Sequence, residues 1–272
     1  MLICYCNSIF EDLVILTEDG DFMSKIIAFA GKGGVGKTTV ATLVVRYLTS
    51  TGKSPVLAVD ADPNSNLGET MGVKVTTTVG DIRENFMKDP QGVPSGMDKT
   101  IYIESLMNQA IMETPNFDLL VMGRQEGHGC YCMVNNILNS FTDDLAASYK
   151  YMVVDNEAGM EHLSRRTSGK VDMLYLVTDY SLRGLRAVGR IHGLLEGLKL
   201  SVKKMGIVVT RGPEKLSDVF LAEAKEIGIP ILGIIPDDPA LLEFDMEKRS
   251  LLELQDSSPS VVAVNRLMES SC

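Results

Sequence analysis

The sequence predicts an α/β domain with one mostly parallel, twisted sheet of about seven to eight strands and helices on both faces. Apolar runs of strand length recur along the chain, and segments with helical character separate most of them. This alternation is typical of parallel strands joined by right-handed crossovers. The predicted strands are 25–30, 56–59, 119–122, 151–154, 173–177, 205–209 and 231–235. The predicted helices are 37–50, 137–148, 182–198 and 214–227.

Composition and charge narrow the class of protein. The chain has 272 residues, of which 45% are hydrophobic, and this is enough apolar material for one sizeable core. A net charge of −10 repels phosphate backbones and anionic membranes, so we expect no nucleic acid and no membrane as a partner. No apolar run approaches the roughly 18 residues of a membrane span, and the N-terminus lacks the features of a signal peptide. We therefore expect a cytoplasmic protein.

The N-terminal segment differs from the rest of the chain. Residues 1–22 are acidic and precede the first apolar run, whereas Met23 begins a stretch that leads directly into that run. We expect Met23 to be the true initiator and residues 1–22 to be an extension that arose as a gene-model artefact. Residues 23–272 contain no internal repeat and no low-complexity linker, so we predict that they form one domain.

A glycine-rich motif lies between the first predicted strand and the first predicted helix. Residues 31–38 fit G-x-x-x-x-G-K-[ST] in full. Glycines let the backbone wrap around a phosphate, and the helix N-terminus adds a favourable dipole. The motif places Lys37 at the β- and γ-phosphates and the Thr38 hydroxyl on Mg²⁺. It predicts a P-loop NTPase domain that binds ATP or ADP with Mg²⁺. The predicted phosphate-binding residues are Gly31, Lys32, Gly33, Gly34, Val35, Gly36, Lys37, Thr38 and Thr39.

A second lysine, Lys32, stands where an ordinary phosphate loop needs none. The run Gly-Lys-Gly-Gly-Val-Gly-Lys-Thr-Thr resembles the deviant Walker A motif of the MinD, ParA and nitrogenase iron-protein class. In that class the extra lysine reaches across a dimer to the nucleotide of the partner subunit. The resemblance implies a homodimer that forms on ATP binding, with Lys32 and Lys37 as catalytic groups. Lys32 would stabilise the charge of the transition state in trans, as an arginine finger does.

Acidic residues follow two of the predicted strands. Asp60 and Asp62 come after the second strand, and Asp155 ends the run 151–154. In open α/β sheets, ligands bind at the carboxyl ends of the strands. The resemblance implies that Asp62 orients the attacking water and that Asp60 supports Mg²⁺ or the phosphate loop. It also implies that Asp155 is the Walker B acid, which holds Mg²⁺ through water, and that Gly159 in a switch II loop contacts the γ-phosphate.

The predicted base contacts depart from the family pattern. Thr210 and Arg211 end a predicted strand where the family has Asn followed by a basic residue. The single hydroxyl of Thr210 cannot reproduce the bidentate contact of an amide, so the preference for adenine over guanine is open at this position. The run Pro236-Asp237-Asp238-Pro239, after the next strand, resembles the second base-contacting loop of the family, and Pro236 and Asp237 are its predicted contacts.

Two cysteines, Cys130 and Cys132, lie in a glycine-rich stretch. Thiols at i and i+2 point the same way on an extended backbone, and two thiolates are half of a tetrahedral ligand set. A symmetric dimer would supply the other half, so the dimer implied by Lys32 would also assemble a four-thiolate metal site. Thiolates suit Zn²⁺, Ni²⁺, Cu(I) or an iron–sulfur cluster. The two residues could instead be core residues or a redox pair.

The stretch Gly-His-Gly-Cys-Tyr-Cys, with Asn-Asn shortly after it, resembles the CooC family of accessory ATPases for nickel insertion into carbon monoxide dehydrogenase. The similarity covers nearly all of residues 24–270. It implies an ATP-dependent maturation factor with Cys130 and Cys132 as ligands of Ni²⁺ or Zn²⁺ and carbon monoxide dehydrogenase as its client.

Two other functions stay open. The first is a MinD/ParA-like positioning or partitioning ATPase, which needs a basic surface or a basic amphipathic C-terminal helix. The second is an iron–sulfur reductase of the nitrogenase iron-protein type, in which two cluster cysteines lie far apart in the sequence and one is close to switch II.

Overall fold

The computed structural model describes residues 24–89, 92–123, 141, 145, 148–156, 170–195 and 200–271. Its strands are β1 (Lys25–Ala30), β2 (Val56–Asp60), β3 (Met112–Glu113), β4 (Asp118–Val121), β5 (Tyr151–Asp155), β6 (Lys170–Asp179), β7 (Ser201–Thr210) and β8 (Ile231–Ile235). They form one sheet in the order β3-β4-β2-β5-β1-β6-β7-β8. Neighbouring strands are parallel, except that β3 pairs antiparallel with β4. The predicted α/β class is therefore confirmed.

Helices cover both faces of the sheet. The described helices are α1 (Lys37–Ser50), α2 (Leu67–Thr70), α3 (Val79–Lys88), α4 (Lys99–Gln109), α5 (Leu182–Leu195), α6 (Asp218–Ile227), α7 (Pro239–Met246) and α8 (Pro259–Ser271), with a 3₁₀ turn at Leu251–Glu253. One core lies between the sheet and α3 to α6, and the other lies between the sheet and α1, α7 and α8. None of the helices in the described part of the chain is long and apolar enough to span a bilayer.

The strands divide their side chains between these two cores with a period of two. In β1, Ile26 and Ala28 belong to the first core, whereas Ile27 and Phe29 belong to the second. Because both faces of a central parallel strand are buried, its sequence is continuously apolar and does not alternate with polar residues. The seven predicted apolar runs correspond to every strand of the described sheet except β3, and those in its middle are buried on both faces.

Some strands and helices begin or end at other residues than predicted, because hydrogen bonds of polar groups set their ends. β6 and β7 extend beyond their apolar runs because Lys170 pairs with Ser201 in the parallel register. Helix α6 starts later than predicted, because the Ser217 hydroxyl accepts the backbone N–H of Phe220 and caps it there. The short edge strand β3 was not predicted, nor were α2, α3, α4, α7 and α8. The predicted helix 137–148 and the segment 1–22 lie largely or wholly outside the described residues.

Helix α1, which follows the phosphate loop, is attached to the C-terminal part of the chain through Arg46. Its Nε donates to the Leu252 carbonyl at 3.2 Å and its Nη2 to the Leu254 carbonyl at 2.7 Å. Nη2 also lies 2.7 Å from Oδ1 of Asp256, whose side chain is 90% exposed. Hydrogen bonds from a charged donor to half-buried carbonyls are worth more than an exposed ion pair. The carbonyl contacts are therefore the part that stabilises the fold.

We expect Arg46→Met to lower the free energy of unfolding by about 2 kcal/mol, because it leaves both carbonyl oxygens without their donor. Asp256→Asn removes only the ion pair and should change stability far less. Urea denaturation of both variants measures the difference. An equal loss in the two variants would show that the ion pair, and not the carbonyl contacts, holds α1 to this segment.

Candidate functional site

The candidate site lies at the carboxyl edge of the sheet, where β1 is flanked by β5 and β6. The parallel register places Asp155 beside Phe29 of β1 on one side and beside Asp60 of β2 on the other. The loop that follows β1 therefore starts next to two acidic residues from neighbouring strands. This juxtaposition is the one that the sequence predicts from the strand ends, and it matches the usual ligand position in open α/β sheets.

The phosphate loop needs glycine at positions where the backbone leaves no room for a side chain. A Cβ atom on Gly31 would lie 2.1 Å from the carbonyl oxygen of Val177 in β6. Gly34 and Gly36 have φ angles of 76° and 90°, in the left-handed region that glycine favours. Gly36 is also the N-cap of α1, so the loop ends at the positive end of that helix.

Side chains at the start of α1 occupy contrasting environments. Lys37 is buried, with 6% of its surface exposed, whereas Lys32 is exposed on the loop. Thr38 is half-buried, and its Oγ1 donates a hydrogen bond of 2.6 Å to Oδ2 of Asp155. Thr39, the last residue of the predicted set, is half-buried in the first turn of the same helix. The two lysines therefore differ in environment: Lys37 is buried at the start of α1, whereas Lys32 is exposed to solvent.

Asp155 is a buried acid with an incomplete set of partners. Burial, opposed by the Thr38 hydrogen bond and reinforced by the nearby Asp60, raises its pKa to about 7. Its Oδ1 atom is buried and has no hydrogen-bond partner in the described structure. A hydroxyl and a carboxylate side by side are hard oxygen ligands of the kind that Mg²⁺ prefers. Thr38 and Asp155 therefore fit a magnesium site next to the phosphate loop.

Asp60 organises the loop that carries Asp62. Its carboxylate accepts the backbone N–H groups of Asp62 at 3.1 Å and Leu67 at 2.9 Å. Burial is the main reason that the pKa of Asp60 rises to about 6, although both of these bonds lower it. Asp62 is half-buried, and its Oδ1 accepts both the backbone N–H and the side-chain amide of Asn64 at 2.9 Å. Neither bond uses Oδ2 of Asp62, which is the oxygen left to face a ligand.

The predicted base-contacting residues lie close to the phosphate loop. Oγ1 of Thr210 donates to the carbonyl of Val35 at 2.6 Å, and Nη2 of Arg211 donates to the carbonyl of Gly34 at 3.1 Å. Pro236 is half-buried and Asp237 is exposed, directly after β8. All four residues are thus at the carboxyl edge of the sheet, and their contact with a base stays a prediction.

Asp238, in the loop predicted to contact the base, has a structural role that the sequence analysis did not assign. It caps α7, where it accepts the backbone N–H of Ala240. It also accepts the hydroxyls of Ser258 and Ser260, and the latter bond is 2.7 Å long. Although burial opposes them, these hydrogen bonds hold the pKa of Asp238 below its usual value. An Asp before the Pro of a helix start is the signal that would have indicated this N-cap.

Three predicted site residues, Cys130, Cys132 and Gly159, lie outside the described residues. Among the residues that are described, no group of three or more His, Cys, Asp or Glu side chains is arranged to hold a metal ion. Strand β4, the last described element before this part of the sequence, ends at the same edge of the sheet as the acids. There the backbone N–H of Met122 donates to the carbonyl of Asp60 at 2.8 Å.

Together, the fold, the glycine-rich loop and the Thr38–Asp155 pair define a P-loop nucleotide-binding domain. The model of the CobQ/CobB/MinD/ParA nucleotide binding domain matches residues 26–251. This chain therefore belongs to that family of P-loop ATPases.

Several proteins of this family are similar in sequence to this chain over most of its length. An uncharacterized ATP-binding protein of Methanocaldococcus jannaschii is 42% identical over 246 residues, which are 90% of this chain and 97% of the relative. The carbon monoxide dehydrogenase accessory protein CooC of Rhodospirillum rubrum is 28% identical and covers 84% of this chain and 89% of its own length. Nitrogenase iron protein 2 of Methanothermococcus thermolithotrophicus is 26% identical, with 84% of this chain and 82% of the relative covered.

The fold is shared with solved structures of the family. The septum site-determining protein MinD of Pyrococcus horikoshii OT3, complexed with Mg-ADP, superposes with a TM-score of 0.67 at 22% identity. The superposition covers 91% of this chain and 95% of that one. At this identity the likeness establishes the architecture and leaves the substrate and partners to other arguments.

The raised pKa of Asp155 predicts a stability that depends on pH. Between about pH 4 and pH 7 the unfolded chain releases the proton of this carboxyl while the folded chain keeps it, so stability falls as pH rises. We expect Asp155→Asn to stabilise the protein free of nucleotide and metal above pH 7, on the order of 2–4 kcal/mol. Near pH 4 the gain should disappear. Thermal unfolding in EDTA across this range measures it.

Asp245→Asn is the matched control, because it removes the same charge from an exposed position of α7. It should not reproduce the pH-dependent gain. A gain from Asp155→Asn that is equally large at pH 4 and pH 8 would contradict the burial argument.

Proposed function

We propose that this chain is a cytoplasmic, ATP-dependent nickel-binding maturation factor that helps to insert nickel into carbon monoxide dehydrogenase. In this proposal ATP-driven dimerisation assembles a metal site from the Cys-x-Cys pairs of two subunits. The observation that carries it is the occurrence of Cys130 and Cys132 in a family ATPase that is similar to CooC over 84% of its length. Residues 23–272 would form the ATPase domain.

The described residues support ATP binding with Mg²⁺ at the loop after β1. Backbone N–H groups of the loop and the N-terminus of α1 would hold the β-phosphate, and the buried Lys37 would neutralise the charge between the β- and γ-phosphates. The Thr38 hydroxyl would bind Mg²⁺ directly, and Asp155 would bind it through water, using the buried Oδ1 that has no partner. When bound, Mg²⁺ offsets negative charge on the phosphate oxygens.

Hydrolysis needs a group that positions water and a group that stabilises developing charge. Asp62 is held by the loop that Asp60 organises, and its Oδ2 is available to orient water toward the γ-phosphate. Lys32 is exposed on the phosphate loop, which suits a contact with the nucleotide of a second subunit. A lysine supplied in trans would make turnover depend on dimer formation.

The loops that follow β2 and β4 are neighbours at one edge of the sheet. The segment with Cys130 and Cys132 begins after β4, whose end is joined to Asp60 by the Met122 hydrogen bond of 2.8 Å. Closure of the dimer around ATP would therefore act on two neighbouring loops of one edge. Opening after hydrolysis would then release the nickel substrate to its client enzyme.

The similarity to nitrogenase iron protein and to MinD keeps two alternative functions in view. An iron–sulfur reductase would use a cluster in place of nickel. A positioning ATPase would leave the cysteine pair without a role, and the C-terminal residues 261–272 carry one Arg and no Lys with which to bind an anionic surface. The metal content of the purified protein distinguishes all three.

Lys32→Ala tests the contact in trans. We expect the variant to bind ATP nearly as well as the wild type while its turnover falls at least about 100-fold, because a charge at the transition state is lost. Lys37→Ala is the comparison variant and should lose nucleotide binding itself. Steady-state ATPase assays and calorimetric titration separate the two effects. Wild-type turnover in Lys32→Ala would refute the role of Lys32.

Native mass spectrometry under anaerobic conditions tests the metal site. With Ni²⁺ or Zn²⁺ and a non-hydrolysable ATP analogue, we expect one metal ion per dimer, because two thiolates from each subunit complete a tetrahedral set. The double variant Cys130→Ser, Cys132→Ser should lose this metal, whereas Cys272→Ser, a thiol in the tail, should keep it.

The other outcomes of this measurement decide against the proposal. Metal retained by the double variant would place the site elsewhere. A brown protein with iron and sulfide would favour the reductase, and no metal in any nucleotide state would favour the positioning ATPase.

A further inference from the structure

The last residue of β7 and the residue after it donate hydrogen bonds to two consecutive carbonyls of the phosphate loop. Thr210 donates to Val35 at 2.6 Å, and Arg211 donates to Gly34 at 3.1 Å. We propose that Thr210 and Arg211 are positioning residues that hold the phosphate loop in its binding shape, and that they do not read the base. The proposal rests on the nucleotide site described above, and it is independent of nickel and of the client enzyme.

The hydroxyl of Thr210 is committed to the loop. Thr210 is 6% exposed, and its one hydroxyl proton lies between the Val35 carbonyl at 2.6 Å and the Thr178 carbonyl at 3.1 Å. Both acceptors belong to the protein, and the shorter bond is the one to the loop. The methyl group of the same side chain packs under the loop, because a Cβ built on Gly36 would lie 3.7 Å from Cγ2 of Thr210. Donation to a base would break the bond to Val35.

The bond to Val35 has a consequence on the opposite side of the same peptide. In a trans peptide the carbonyl of one residue and the N–H of the next point in opposite directions. With the Val35 carbonyl held toward Thr210, the N–H of Gly36 is turned away from β7 and toward the inside of the loop. Gly36 precedes Lys37, so this N–H lies among those that a β-phosphate would bind. The Thr210 bond therefore fixes the direction of a phosphate-binding donor.

Arg211 supports the loop from a backbone conformation that is rare for a residue with a side chain. Its φ angle is 51°, in the left-handed region. The next residue, Gly212, is tied to β8, because its N–H donates to the carbonyl of Ile235 at 3.3 Å. The chain thus turns sharply after β7 and brings the guanidinium of Arg211 back over Gly34. Unusual backbone geometry of this kind is found where a side chain has to be placed for function.

The two possible roles of Thr210 predict different changes in the affinities for ATP, GTP and tripolyphosphate. If Thr210 reads the base, removal of its hydroxyl changes the ratio of ATP affinity to GTP affinity. If it holds the loop, removal weakens every ligand that binds through its phosphates by the same factor. Inorganic tripolyphosphate has no base and no ribose, so only the second role predicts that it is affected. If Thr210 only stabilises the fold, removal of its hydroxyl would lower the thermal stability without weakening phosphate binding in the folded protein.

Calorimetric titration of the full chain with Mg²⁺ and ATP, GTP or tripolyphosphate tests the proposal. Thr210→Val keeps the shape and removes the donor, and we expect all three affinities to fall by a common factor of about five to ten. Thr210→Ser keeps the donor and should stay within about twofold of the wild type. The ATP to GTP ratio should be unchanged in both variants. A thermal midpoint measured without ligand reports the stability of each variant separately.

Arg211→Ala is a second test variant in case Thr210→Val does not fold. Arg211 is exposed, so removal of its side chain leaves the buried residues of β7 unchanged. It should also weaken the three ligands by one factor. Loss of ATP affinity alone, with GTP and tripolyphosphate unaffected, would overturn the proposal in favour of base reading. Unchanged affinity for all three ligands in a folded variant would overturn it as well.

Discussion

The hydrogen bond between Thr38 and Asp155 joins the first turn of α1 to the strand in the centre of the nucleotide site. Asp155 is 1% exposed because β1 and β2 flank its strand, and this burial raises its pKa to about 7. A carboxylate in such a place is costly unless a cation or hydrogen-bond donors compensate it. Thr38 compensates one of its oxygens, and the other has no partner in the described structure. In the proposed site that second oxygen would hold a magnesium-bound water, so the arrangement that destabilises the free protein would favour binding of the metal and nucleotide.

The loops at the carboxyl edge of the sheet are connected to one another through backbone hydrogen bonds. The N–H of Ala61 donates to the carbonyl of Asp155 at 2.9 Å, and the N–H of Met122 donates to the carbonyl of Asp60 at 2.8 Å. The loop with Asp62 thus lies between the end of β5 and the segment that follows β4. If one of these loops moved when nucleotide binds, the neighbouring loops would move with it, because backbone hydrogen bonds join the strand ends from which they start.

The phosphate loop is held from the opposite side by β6 and β7. Val177 of β6 approaches Gly31 so closely that only glycine fits. Thr210, the last residue of β7, and Arg211, which follows it, donate hydrogen bonds to the carbonyls of Val35 and Gly34. A loop with its peptides already oriented loses less entropy when a phosphate binds. Strands β6 and β7 therefore hold the phosphate loop before any ligand binds, and Thr210 does so with a single hydroxyl.

The sequence by itself determined the fold class, the nucleotide-binding loop and the two buried acids. These features follow from local rules, because continuous apolar runs indicate buried parallel strands and the spacing of glycines and lysine indicates a phosphate loop. It also predicted the positions of seven strands, but not the polar ends of β6 and β7, which exist because each strand supplies hydrogen-bond partners to the other. The cap formed by Thr78 and Asp81 at α3 was readable in the sequence and was missed.

Only the tertiary structure decided what Thr210, Arg211 and Asp238 do. Thr210 meets Val35 across 175 positions of the chain, and Asp238 meets Ser260 across 22. No local pattern encodes such contacts, because they depend on the order of strands in the sheet and on how closely the loops approach. The sequence assigned Thr210 to the base through its position in a family motif. The sheet brings its hydroxyl to the phosphate loop, because β6 alone separates β7 from β1.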